Sequence, residues 1–143
     1  MGAYGGRGRA CRATTPTDAL ASVRDAMLET KRYGFDKART DQLALGARVR
    51  ALLAGRGFPS VAAPGFEAPG VVVSYTDDPE IHSGKRFLGL GLQTAAGVPL
   101  QCDEPADFRT FRIGLFGLDK LGNIDRTVAH LERALAQAAQ AAA

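Results

Sequence analysis

The sequence predicts an α+β fold: a small, mainly antiparallel sheet with helices packed on one face, preceded by an N-terminal helix. Three observations carry this. Apolar residues recur at +3 and +4 in three long stretches, Leu20-Val23-Met27, Leu45-Val49-Leu52-Leu53 and Ile124-Val128-Leu131-Leu135, and each set lies on one helical face. Two short stretches, VVVSY at 71–75 and FRIGL at 111–115, read instead as strands. The order of helices and strands does not follow a repeated strand–helix alternation, which favours an α+β layer over a parallel sheet.

Taken in order, residues 1–13 (MGAYGGRGRACRA) are rich in Gly and Arg and lack periodicity. A disordered arm is expected there. An RNA-binding tail is the functional alternative, but one short unrepeated stretch gives it little support. Thr15, Pro16 and Asp18 then supply a cap, a favoured first position and a first-turn carboxylate. That helix should run to Tyr33 and stop at Gly34. A second helix is expected over 35–54, with Arg39, Arg48 and Arg50 mostly solvated. A short edge strand at 60–62 and turns at Pro64-Gly65 and Pro69-Gly70 lead into the strand at 71–75. Its β-branched residues on both faces predict a central position. Asp77, Asp78 and Pro79 open a third helix over 79–88, weakened by Gly84. A strand is expected at 92–95, a loop and polar connection to Asp107, then the strand at 111–115. The last helix should start at Lys120 or Asn123. The closing AQAAQAAA should fray, having nothing to bury. The domain reading is an arm at 1–13, a helix at 14–34 and a compact domain at 35–140.

Composition bounds the function. The 143 residues are 45% hydrophobic and 23% charged, enough for one domain with a real core. No apolar run approaches the roughly 20 residues of a membrane span, and no secretory signal is visible. Two cysteines, Cys11 and Cys102, make no disulfide framework and no metal-ligand spacing. A cytoplasmic setting is expected, with no membrane partner and no metal. The net charge is +3, but the basic residues sit beside acidic ones, as in Arg24-Asp25 and Glu132-Arg133. That pattern describes solvated helix faces and disfavours nucleic-acid binding. The chain has no phosphate-loop, dinucleotide, GxSxG or HExxH motif, and no spaced carboxylate pair. No catalytic residue can be named.

Arg112 is the residue that stands out. In the 111–115 strand, Phe111, Ile113 and Leu115 point to one face and Arg112 to the other. A strand fixes the origin of the side chain, and guanidinium offers a rigid fork that grips two carboxylate oxygens at once. Gly114 and Gly117 leave room beside it. The bland alternative is an arginine in a surface salt bridge.

The stretch FRIGLFGLDKLGNIDRTVAHLERAL resembles the C-terminal end of class V, fold type I pyridoxal-phosphate-dependent aminotransferases, closest to the serine–pyruvate and alanine–glyoxylate group. The resemblance rests on Arg112-Ile113-Gly114-Leu115-Phe116-Gly117 and Asn123-Ile124-Asp125-Arg126. It extends upstream to TTPTDAL at 14–20 and covers about residues 14–140. It implies the small-domain fold of that family, with residues 14–34 as the end of the large domain. It implies that Arg112 grips the α-carboxylate of an amino-acid or 2-oxo-acid substrate, and that Thr14 reaches the pyridoxal phosphate across a homodimer interface. The family's tyrosine three residues before that threonine is Cys11 here. None of Lys31, Lys37, Lys85 and Lys120 stands in the family's Schiff-base motif. The expectation is therefore a C-terminal domain that is inactive alone, with self-association or a large-domain partner. The alternative is a non-enzymatic α+β binding or interaction module.

Overall fold

The computed structural model describes residues 17–101 and 103–140. The expected arm at 1–13, Thr14, the Thr15-Pro16 cap and both cysteines lie outside the described residues. The chain divides into two compact units, residues 1–34 and 35–143.

In the first unit, α1 (Thr17–Tyr33) ends at Gly34, whose φ of +97° is the left-handed turn expected there. Its apolar residues Leu20, Val23, Met27 and Leu28 are all exposed.

The second unit is α+β, with a three-stranded antiparallel sheet. Helix α2 (Phe35–Gly55) buries Leu45, Val49 and Leu53 completely, while Leu52 is half-buried. Arg48 meets Asp125 across the fold. Arg50 is not a solvated residue as the sequence predicts. It donates to the carbonyls of Ala68 and Val71, pinning the loop before the first strand onto α2. Gln42 adds a bond to the Pro69 carbonyl at 3.0 Å. Gly46 makes that approach feasible, since a Cβ there would stand 2.7 Å from the Pro69 oxygen.

Strand β1 (Val71–Tyr75) matches its predicted bounds, but it is not central. The order is β1-β3-β2, with β2 (Ala95–Ala96) and β3 (Thr110–Gly114). The outer edge of β1 is shielded by the chain at Ser60-Val61, which makes one bridge to Ser74 and a bond from Val61 N to Val73 O rather than a full edge strand.

The predicted helix at 79–88 is two short helices, α3 (Pro79–His82) and α4 (Lys85–Gly89). Gly84 separates them at φ +78°. Asp78 caps α3, and Arg86 returns from α4 to Asp78 and Glu80 at 2.9 and 3.0 Å. The strand expected at 92–95 shrinks to Ala95 and Ala96. The last helix is likewise split into α5 (Leu118–Leu121) and α6 (Ile124–Gln140), with Asn123 Oδ1 accepting from Arg126 N at the start of α6. Against expectation, α6 stays helical through Gln140 and buries Ala138.

The core lies between the sheet face of Val72 and Phe111 and the buried residues of α2, α4 and α6. Phe111 is fully buried and meets Phe58 edge-on at 5.4 Å and Phe87 at 5.7 Å.

Candidate functional site

Register places Arg112 beside Val73 on β1 and Ala95 on β2. Directly paired residues share a face, so the face opposite the core carries Val71, Val73, Tyr75, Ala95, Thr110, Arg112 and Gly114, of which Thr110 is buried. At one end of this face Phe108 closes edge-on over Tyr75 at 5.7 Å. The middle stays open: Val73 and Arg112 are half-exposed, and Ala95 and Gly114 are exposed.

The Arg112 Nε donates to the Ala96 carbonyl at 3.2 Å. This bond fixes the plane of the guanidinium against the neighbouring strand. Neither Nη group has a hydrogen-bond partner among the described residues, and no carboxylate there forms an ion pair with Arg112. The bland reading, a surface salt bridge, therefore does not hold for this arginine. What remains is a cation on the central strand, flanked by valine and alanine, with its outer two-nitrogen edge open. That edge can take a carboxylate through two parallel hydrogen bonds.

The turn after β3 is built by the same motif. Gly117 takes φ +111° before α5, and a Cβ there would overlap the Asp119 carboxylate. In Asn123-Ile124-Asp125-Arg126, Asn123 caps α6, Asp125 pairs with Arg48, and Arg126 Nη2 donates to the Asp119 carbonyl at 2.9 Å. Asn123, Asp125 and Arg126 thereby cap α6 and tie it to α2 and α5. They do not approach the open face.

A second concavity lies on the core side of β3. This cleft of about 330 Å³ has Val49, Ile113, Leu115 and Leu131 in its wall. Lys120, Arg126 and His130 stand at one lip and Gln93 and Thr94 at the other. Sequence reasoning passed over it. The signal available was the i, i+4 spacing of Arg126 and His130, which puts both on one side of α6.

The pyridoxal phosphate implied by the resemblance was tested against the residues present. A Schiff-base lysine must be desolvated enough to hold an uncharged amine. None of the four lysines is buried; Lys37 pairs with Asp41, and Lys120 lies 3.4 Å from Asp119. No lysine is thus in such a setting, and Thr14 lies outside the described residues. No three His, Cys, Asp or Glu side chains among the described residues converge on a metal position. No helix among them is long and apolar enough to cross a membrane.

No protein-family model matches the chain, and no curated protein matches it.

Proposed function

We propose that this chain is a substrate-binding C-terminal domain of a pyridoxal-phosphate-dependent aminotransferase of class V. In this role Arg112 holds the α-carboxylate of an amino acid or 2-oxo acid, and a separate large domain supplies the Schiff-base lysine and the cofactor. One observation carries the proposal: the Arg112 guanidinium is oriented by the Ala96 carbonyl and has no acidic partner, on a sheet face open in the middle. The ordered match of R-I-G-x-x-G and N-x-D-R to that family supports it. So does the split of the second motif into a cap, an inter-helix ion pair and a carbonyl contact, which gives each of its polar residues a task in fixing α6 against α2 and α5.

Within this role the chain's own residues bind and orient. Arg112 neutralises the carboxylate and fixes its plane. Val73 and Ala95 limit where the rest of the substrate can lie. Amino-group transfer belongs to the cofactor on the partner domain.

The test is complementation. The purified chain with pyridoxal phosphate should show no absorbance band that responds to an amino acid. Added to a class V large domain that carries its lysine, it should restore transamination. Arg112→Gln should then lower kcat/KM by about a hundredfold, mostly through KM, as loss of a charge-assisted pair does. A substrate-responsive band in the chain alone, or full activity with Arg112→Gln, would overturn the proposal.

A second reading keeps the same arginine without the enzyme. The open face of Val71, Val73 and Tyr75 also suits a non-catalytic module that docks a partner bearing a carboxylate. Saturable carboxylate binding with no complementation by any large domain would favour it.

A further inference from the structure

The cleft on the core side of β3 is separate from Arg112, because alternate residues of a strand face opposite ways. Ile113, not Arg112, lines it. We infer that this cleft binds a small organic anion with an apolar body, a second ligand site on the reverse of the strand that carries Arg112.

The chemistry of the wall gives the ligand class. Leu92 and Ile113, both half-buried, form the accessible apolar floor, backed by the buried Val49, Leu115 and Leu131, and Ile113 points into the core side of the sheet. A volume of about 330 Å³ is at the lower end of the range for ligand pockets, so the occupant is small.

The lip gives the charge. Lys120, Arg126 and His130 all stand there with one carboxylate, Asp119, which lies 3.4 Å from the Lys120 ammonium, so Arg126 is the cation with no acidic partner among the described residues. Arg126 is held in place by its Nη2 bond to the Asp119 carbonyl. Its remaining N–H groups have no partner among the described residues. The Thr127 hydroxyl ties the first turn of α6 to the Lys120 carbonyl at 3.0 Å, so Lys120 and Arg126 are mounted on one braced corner. A fixed guanidinium with a lysine beside it, above an apolar floor, selects an anionic head on an apolar body. A neutral molecule of the same shape would fill the floor and leave the lip unused.

Isotope-labelled full chain titrated with 4-methylpentanoate, followed by two-dimensional NMR, tests this. The amides of Ile113, Leu115, Arg126 and His130 should move saturably. 4-Methylpentanamide, of the same shape without the charge, should bind about tenfold or more weakly. Inorganic phosphate, a head without the body, should also bind more weakly. Arg126→Gln should remove the preference for the acid over the amide, and Lys120→Gln should reduce it. A dispersed spectrum confirms that each variant is folded. Arg112→Gln should leave the titration unchanged, so this site can fail while the carboxylate role of Arg112 stands, and the reverse. Equal binding of acid and amide, an unchanged preference in folded Arg126→Gln, phosphate binding as tight as the acid, or shifts centred on Arg112 would each overturn the inference.

Discussion

Arg112 shows how one residue can be readable in direction and unreadable in detail. The period of two in FRIGL sends it away from Phe111 and Ile113, and that much follows from the sequence. Its anchor, the Ala96 carbonyl, lies sixteen residues away in sequence and reaches it only because β2 pairs with β3. No local pattern contains that contact. Because Arg112 is half-exposed and makes one bond, Arg112→Gln should change stability by no more than about 1 kcal/mol in urea denaturation. Gly97 behaves in the opposite way. A Cβ there would overlap the Thr110 carbonyl oxygen and stand close to the His82 ring. His82 Nδ1 lies 2.8 Å from the same carbonyl and 3.3 Å from the Thr110 N–H, so the ring sits tightly against Thr110. Gly97→Ala should therefore cost about 1–3 kcal/mol in the same measurement, since backbone rather than a flexible side chain must yield.

At the scale of elements, the sequence is reliable where a face is buried and fails where tertiary pairing decides. The bounds of β1 and the stop of α1 at Gly34 are both legible. The strand order is not, because the shield over the edge of β1 comes from a loop bridge at Ser60. The split of α3 from α4 was signalled by Gly84, but only as a weak point in one helix. Its φ of +78° makes it a true break. Gly84→Ala should cost about 1–2 kcal/mol, the strain of placing a Cβ in the left-handed region. The fate of AQAAQAAA was misread for a different reason. Alanine looks inert, yet Ala138 is only 4% exposed in the packed helix, and small residues are what a close approach requires. Arg50 is the clearest case of a charge used as structure. Arg50→Met should free the loop before β1, seen as faster hydrogen exchange across residues 63–70 and a loss of about 1–3 kcal/mol as the Ala68 and Val71 carbonyls lose their donor.

For the molecule as a whole, charge and apolar surface are unevenly distributed. Residues 1–34 carry six basic and three acidic side chains, and residues 35–143 carry twelve of each. The second unit is therefore formally neutral, and it exposes Tyr75 and Phe116. Low net charge together with apolar surface promotes association. Light scattering should show mass rising with concentration, and Phe116→Ser should reduce that rise. A sheet face that is open and apolar around an arginine with no acidic partner among the described residues is what a domain built to meet a ligand and a second domain would present. Arg112 gripping a carboxylate is tested most directly by a titration of the dilute, isotope-labelled chain with pyruvate, following the Arg112 Nε–H and the amides of Val73 and Ala95. The account predicts saturable shifts at these positions that vanish in Arg112→Gln. Shifts that fail to saturate, or that persist unchanged in the variant, would contradict it.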